Sequence, residues 1–285
     1  MSTLYFVGTG TPTPTKSRFG TCYILRVGDE FLMFDCGPAA THKLVKMGLF
    51  PTQIDYLFFS HHHFDHNADY PCFLLCRWDQ SIGRENILKV WGPPPTQWVT
   101  DRLIGPQGAF NHDWRARVGH PGSQEIFVKR GGTLPRPAPK VIVADIRSGD
   151  VIYKDPWTVT AAKAQHIEPW MTTLAYRIDF NGHRIVITSD TGDSPSVLAL
   201  AEDADTLLTH CWDHQKSMQK NEAAMIGGTL AAAKLAQKAG VRTLILAHQG
   251  SNLDRPGSRE KAVTDISRIF EGEIIFAEES LILEI

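Results

Sequence analysis

No apolar run in the 285-residue sequence is longer than five residues, and only Cys72–Cys76 and Val197–Ala201 reach that length. A membrane helix needs about 20, so no span is expected. Cysteine is scarce. The five present (Cys22, Cys36, Cys72, Cys76 and Cys211) are odd in number and form no C-x-x-C pair. That argues against a disulfide scaffold and against a thiolate zinc site. Charge of one sign is missing too, with 29 Lys and Arg facing 31 Asp and Glu. A general nucleic-acid binder usually carries a basic surface, so the balance argues against one. The segment Met1–Gly8 has no basic n-region and no apolar h-region, and the expected location is the cytoplasm. Neither G-x-x-x-x-G-K-[ST] nor G-x-S-x-G occurs, so a P-loop NTPase and a serine-hydrolase elbow lack support. Gly8-Thr9-Gly10 comes after a strand, but position 13 is Thr13, and Pro12 and Pro14 rule out a helix there. A turn is expected rather than a dinucleotide loop.

What is present is a series of short apolar, β-branched runs. Strands are expected at Leu4–Val7, Cys22–Val27, Glu30–Phe34, Ile54–Phe59, Val141–Ala144, Thr158–Ala162, Leu174–Asp179, Arg184–Thr188, Thr206–Leu208, Thr243–Leu246 and Glu273–Phe276. Helices are expected at Thr41–Met47, from Ser194-Pro195 onward, at Asn221–Ala239 and at Arg259–Glu271. This is a mixed α/β pattern, read as one domain over residues 1–285. The compositional break is at about 105–140, with six glycines and five prolines between Gly105 and Pro139. It is expected to lack regular elements and to act as an insertion or lid. From Asp101 to Lys140 the net charge is +4. Two readings stand for its arginines, Arg115 and Arg117 among them: contact with an anionic substrate, or local pairing in a solvated loop.

Twelve histidines are present, and four of them lie with an aspartate in Ser60-His61-His62-His63-Phe64-Asp65-His66, three of these at the spacing H-x-H-x-D-H. The apolar strand Ile54–Phe59 runs straight into this stretch. His61 and His63 are two apart, so on extended chain they point the same way and can share an ion. Asp65 and His66 then offer a carboxylate and an imidazole to a second. Borderline N and O donors suit Zn²⁺, with Fe or Mn as alternatives. Four later strands each lead to one more donor: His166, Asp190, His210 and His248. Strand ends are where a rigid sheet positions functional loops.

The ordered set His61-x-His63-x-Asp65-His66, then His166, Asp190, His210 and His248, resembles the metallo-β-lactamase-fold hydrolases, and within them the ribonuclease Z and arylsulfatase-like branch. Phe6–Pro12, Phe34-Asp35-Cys36-Gly37, Tyr176-Arg177-Ile178 and Ser189-Asp190-Thr191-Gly192 add to the resemblance. It implies a four-layered αβ/βα sandwich with a dinuclear site on one edge. His61, His63 and His166 would hold one metal. Asp65, His66 and His248 would hold the other, with Asp190 bridging. Asp65 would also orient the nucleophile, a hydroxide between two ions, most simply Zn²⁺ with Mn²⁺ or Fe²⁺ as alternatives. His210 stands where a histidine assists proton transfer. His62 is unassigned, and His42 and His183 read as surface residues. Trp114, Trp170 and Trp212 are weak candidates for substrate contact.

Three departures from the ribonuclease Z pattern shape the expected substrate. His166 and Asp190 are only 24 residues apart, leaving no room for the tRNA-gripping arm of that branch. The cluster continues as Asn67-Ala68-Asp69-Tyr70-Pro71, and His210 is followed by Cys211-Trp212-Asp213. The expectation is therefore a hydrolase of sulfate, phosphate, carboxylic or lactone esters in a small, anionic or aromatic molecule. A homodimer is expected, and nucleic acid is not the expected partner. The alternative is a tRNA 3′-end endonuclease. A di-iron oxidase is disfavoured because such relatives tend to place Glu where His63 stands.

Overall fold

The computed structural model describes residues 2–82 and 86–285. Its strands divide by chain order into two sheets. The first half supplies β1 (Ser2–Thr9), β2 (Thr21–Val27), β3 (Glu30–Phe34), β4 (Tyr56–Phe58), β5 (Lys89–Gly92) and β6 (Ile142–Asp145). The second half supplies β7 (Val151–Lys154), β8 (Trp157–Lys163), β9 (Leu174–Phe180), β10 (His183–Ile187), β11 (Thr206–His210), β12 (Thr243–Ala247) and β13 (Glu273–Phe276). A last strand, β14 (Ile282–Glu284), returns to pair with β1. The sheet orders are β14-β1-β2-β3-β4-β5-β6 and β13-β12-β11-β10-β9-β8-β7. In each sheet one part is an antiparallel meander (β1 to β3; β7 to β10). β14 joins β1 antiparallel, and the other pairs are parallel (β3 to β6; β10 to β13). Parallel neighbours need crossovers, and the helices lie there: α1 (Ala40–Lys46), α2 (Phe64–Asn67), α3 (Tyr70–Gln80), α4 (Thr96–Ile104), α5 (Asn111–Gly119), α6 (Pro121–Lys129), α7 (Pro195–Ala201), α8 (Lys220–Met225), α9 (Thr229–Ala239) and α10 (Ser258–Ile266).

Alternation along each strand builds the layers. On β2, Tyr23, Leu25 and Val27 join the core between the sheets, while Cys22 and Ile24 join the core under α1 and α3. On β12, Ile245 and Ala247 face the inner core, and Leu244 and Leu246 face the outer one under α7, α9 and α10. The result is helices, sheet, sheet, helices: a four-layered αβ/βα sandwich. Phe58 is fully buried at its centre, 5.2 Å from the Phe34 ring, 5.1 Å from Trp91 and 5.6 Å from Tyr176. Truncating such a residue to Ala costs about 3–5 kcal/mol.

Two hydrogen bonds tie the sheets where β4 ends. Tyr176 Oη on β9 donates to the Phe59 carbonyl at 2.6 Å, and Leu174 N donates to the Ser60 carbonyl at 2.9 Å. The loop after β3 seats α2: Cys36 N donates to the His66 carbonyl at 2.7 Å. A Cβ at position 37 would come within 2.2 Å of the Asp65 carbonyl, so only Gly37 allows this approach.

Several elements differ from expectation. The segment at 105–140 contains two helices, α5 and α6. Its glycines and prolines fall at element ends, with Gly119 closing α5, Pro121 opening α6 and Gly131-Gly132 following it, so they punctuate rather than prevent helix. The expected helix Asn221–Ala239 is broken into α8 and α9. A Cβ at Gly228 would lie 2.7 Å from the Asp213 carbonyl, and the chain bends to make that contact. α10 stops at Ile266, short of Glu271. Among the described residues, no helix is long and apolar enough to cross a membrane.

Candidate metal centre

Five strands deliver donors to one edge of the sandwich. β4 leads to His61, β8 to His166, β10 to Asp190, β11 ends on His210, and β12 leads to His248. α2 carries Asp65 and His66, and His63 precedes it as its N-cap residue. All except His63 are buried. Two clusters form, His61, His63, His166 and Asp190, and His66, Asp190, His210 and His248, each with ligand atoms within 4.8 Å of one another.

In the first cluster His61 Nε2 lies 3.0 Å from His63 Nδ1, which lies 3.3 Å from His166 Nε2. Asp190 Oδ2 lies 3.9 Å from His61 Nε2 and 3.6 Å from His166 Nε2. In the second, His248 Nε2 lies 3.1 Å from Asp65 Oδ2 and 3.5 Å from Asp190 Oδ1. His66 Nε2 lies 3.5 Å from Asp65 Oδ2. Metal–nitrogen bonds of ~2.0–2.1 Å give tetrahedral edges of about 3.3 Å, so these spacings suit an ion. Among the described residues, His66 Nε2 and Asp65 Oδ1 are buried with no hydrogen-bond partner. Such orphans are costly unless a cation or water meets them. The residues present therefore fit divalent metal, with Asp190 shared by both clusters: Oδ2 faces His61, His166 and His66, and Oδ1 faces His248 and His210.

The far side of each imidazole is also held. Ser60 Oγ lies 3.0 Å from His61 Nδ1, His166 Nδ1 lies 2.7 Å from the Met225 carbonyl, and His66 Nδ1 lies 2.7 Å from Asp35 Oδ2. Such contacts orient metal-binding histidines. Burial, then the neighbouring imidazoles, push His61 well below the usual histidine range, and burial and His166 lower His63. Both are therefore neutral near pH 7, the form that ligates. Burial would also lower His66, but the charge and hydrogen bond of Asp35, then Asp65 and Asp190, carry it up to about 9. Burial would raise Asp190, yet His248, His210 and His66 hold it well below the usual carboxylate range.

His210 joins the cluster with both nitrogens engaged. Nδ1 lies 2.7 Å from Asp190 Oδ1, and Nε2 lies 3.1 Å from Tyr23 Oη. Burial takes it down to about 4 against the pull of Asp190, so it is neutral near pH 7. Burial holds the Tyr23 phenol well above its usual range, keeping its proton. Tyr23 thus donates to His210, and His210 donates to Asp190.

His62 turns the other way, toward Thr96 Oγ1 at 2.8 Å and Asn67 Nδ2 at 3.1 Å. His42, His112, His120, His183 and His214 lie outside both clusters. Trp212 packs 6.2 Å from the His248 ring, whereas Trp170 is 83% exposed. The arginines at 105–140 are engaged locally. Arg130 and Arg136 donate to Asp79 at 3.0 and 2.8 Å, Arg117 to Asp113 at 3.0 Å, and Arg115 to the Pro106 carbonyl at 3.2 Å. Residue-level reading passed over Asp35 and Tyr23. For Asp35 a signal existed: it comes just after a strand end, as the donors do. Its backbone is left-handed (φ 60°), as are those of Ser189 (60°) and His248 (52°). Non-glycine strain of this kind gathers at functional sites.

A family model described as Anti-Pycsar protein Apyc1 matches residues 2–69. Ribonuclease Z of Mycobacterium bovis (strain BCG / Pasteur 1173P2) is 26% identical over 281 residues, covering 96% of this chain and 95% of that protein. The metallo-β-lactamase fold protein YhfI from Bacillus subtilis superposes with a TM-score of 0.74 at 22% identity, covering 99% of this chain and 98% of that one. The short form of human tRNase Z gives 0.69 at 19% identity, covering 99% of both. Two of these names, ribonuclease Z and tRNase Z, carry RNA as the substrate. They overturn the expectation of a small-molecule substrate with nucleic acid set aside, which rested on the missing arm and on near-neutral net charge. Neither feature excludes RNA, because a local surface and the metal edge can meet phosphate without an overall basic charge. With the order of donors, the sandwich and the full-length likeness to ribonucleases Z together, the chain has the metallo-β-lactamase fold, is similar over nearly its whole length to the ribonuclease Z branch, and is a metal-dependent hydrolase.

Proposed function

We propose that this hydrolase is a ribonuclease Z-like phosphodiesterase that cuts RNA, with 3′-extended tRNA as the substrate. The observation that carries the reading is the carboxylate of Asp190, common to both donor clusters, in a chain whose relatives over 96% of its length are named ribonuclease Z. His61, His63 and His166 with Asp190 would hold one divalent ion. Asp65, His66 and His248 with Asp190 would hold the other. The N/O donors favour Zn²⁺, with Mn²⁺ or Fe²⁺ as alternatives. Such ions supply positive charge against that developing on a phosphodiester, and a water pKa brought to about 7.

The chain's own residues supply position. Asp65 Oδ1, which has no partner among the described residues, is the oxygen assigned to orient the attacking water. His210 is assigned a positioning role, since both nitrogens are engaged inside the protein. It holds the plane of Asp190 rather than delivering a proton to the leaving group. The net +4 segment Asp101–Lys140 is the surface proposed to meet RNA phosphates, in place of an arm between His166 and Asp190, where β9 and β10 leave no room for one.

The test is cleavage of a 3′-extended pre-tRNA by the zinc- or manganese-loaded protein, with Asp190→Ala and chelator-treated protein as controls. Cleavage abolished in both controls supports the reading. Turnover of a chromogenic phosphodiester without any RNA cleavage would overturn the RNA assignment and leave the hydrolase intact.

A further inference from the structure

The loop between β8 and β9 carries His166 near its start and Trp170 near its end. It is tied down along its length. Ala164 N donates to the Thr173 carbonyl at 2.9 Å, and Trp170 N donates to the Ile167 carbonyl at 3.0 Å. Lys163 Nζ lies 2.6 Å from Glu168 Oε2, and Met171 Sδ accepts from His62 N at 3.3 Å. The last contact sets the loop against the histidine cluster itself. The backbone under Trp170 is therefore placed by the same structure that places the metal donors.

On this held loop the indole is 83% exposed. Tryptophan is on average well covered in a folded chain, and leaving so large an apolar surface in water is unfavourable. The other tryptophans find cover. Trp78, Trp98 and Trp114 each have an arginine over the ring, at 4.2, 5.6 and 5.5 Å. Trp157 packs edge-on against Tyr56 at 4.9 Å. Phe64, between His63 and Asp65 in the donor stretch, is also 55% exposed. Two aromatic side chains thus stand open to solvent in the very segments that carry His63 and His166.

The position of these rings says what would cover them. A scissile phosphodiester has to lie against the donors, so the nucleotides next to it run over the rim that these two segments form. A 3′ extension is single-stranded, and unpaired bases are held by stacking on aromatic rings. Glu168, the acid nearest Trp170 in the loop, is paired with Lys163, so its charge is offset toward the RNA backbone.

We propose that Trp170 is a stacking platform for one unpaired base beside the scissile phosphodiester, with Phe64 as a second apolar wall. The proposal rests on the ribonuclease reading above and names how that site holds its strand. Stacking uses the π-face that every base has, so Trp170 positions the RNA without selecting its sequence.

The experiment is single-turnover cleavage by the zinc-loaded full chain of 3′-extended pre-tRNAs, each with one abasic ribonucleotide among the unpaired positions around the cut. In wild type one abasic position should lower kcat/KM about 5- to 150-fold, the worth of one base on one ring. Trp170→Ala should lose a similar factor on the intact RNA and lose nothing further at that position. Trp170→Phe keeps a ring and should recover most of the loss. Metal content should match wild type in both variants, since substitution of so exposed a side chain leaves the fold near wild type. If wild type cuts no RNA, the ribonuclease reading falls and the proposal with it. If wild type cuts RNA and Trp170→Ala cuts it equally fast, the proposal alone is overturned. It is overturned as well if Trp170→Ala adds its loss equally at every abasic position, if Trp170→Phe recovers nothing, or if the loss accompanies a change in oligomeric mass, which would place the indole at a contact between copies of this chain.

Discussion

The Asp35 carboxylate lies 2.7 Å from His66 Nδ1 through one oxygen and 2.7 Å from Ser60 N through the other. One buried side chain thus fixes both the imidazole on α2 and the backbone from which His61 departs. Asp35→Asn keeps the shape, and Asn tolerates the left-handed backbone at this position. It removes the charge that fixes the His66 tautomer. Partners of this kind are worth about 10- to 100-fold in metal affinity. Asp35→Asn should therefore bind its weaker metal about 10-fold or more less tightly while its circular dichroism is unchanged. Undiminished metal retention during dialysis against a competing chelator would refute the role.

The Tyr23–His210–Asp190 chain yields a second prediction. Tyr23→Phe keeps the edge contact with Phe6 at 5.8 Å and leaves His210 Nε2 without its donor. An unmet buried acceptor costs about 1–3 kcal/mol of stability. If His210 acts by holding Asp190, kcat should fall several-fold while KM and metal content stay near wild type. A large fall in kcat for His210→Ala with Tyr23→Phe fully active would restore direct proton transfer by His210.

Much of this centre was legible before any coordinates, and the reason is local. His61, His166, Asp190, His210 and His248 each end or follow a short apolar run, and such runs mark strands whose ends share an edge. The elements that escaped lack that signature. α5 buries no residue, so it shows no apolar stripe. Cys72–Cys76, inside α3, is continuously apolar and carries no helical period. β5 and β14 are four and three residues long, too short for alternation to register. The absent arm points to a small molecule, and full-length relatives named ribonuclease Z overturn that expectation.

Asp79 offers a pH test of the α5–α6 hairpin. Burial would raise its pKa, but hydrogen bonds from Arg136 and Arg130, with their charges, take it below the usual value. A carboxylate depressed in the folded state stabilises above its unfolded pKa, about 3.9. That contribution is lost as pH falls through the lower folded value. Amide exchange in α5 and α6, corrected for intrinsic rates, should therefore be constant from pH 7 to 5 and rise below about 4. Asp79→Asn should open the hairpin about 5-fold more often at neutral pH, from about 1 kcal/mol of partly exposed pairing, and should flatten the acid limb. An unchanged acid limb in Asp79→Asn would assign it to another carboxylate.

The bond from Tyr176 Oη to the Phe59 carbonyl joins fold to function most directly. At 2.6 Å it crosses from one sheet to the other two residues before His61. The Tyr176 phenol is fully buried and held well above its usual pKa by that burial, so it remains a donor throughout the working range. Tyr176→Phe preserves the ring packed 5.6 Å from Phe58 and 5.9 Å from Phe34, and strands the carbonyl. The expected loss is about 1–3 kcal/mol in unfolding free energy. If the bond only stabilises the core, metal affinity will be unchanged once the protein is folded. If it also sets where β4 hands over to the histidine cluster, the first metal will bind more weakly under conditions where wild type and variant are both fully folded. Because His61 and His63 hang from that handover and Asp190 from the opposite sheet, the second outcome is expected. Denaturant titration alongside metal competition at a temperature well below the melting transition separates the two.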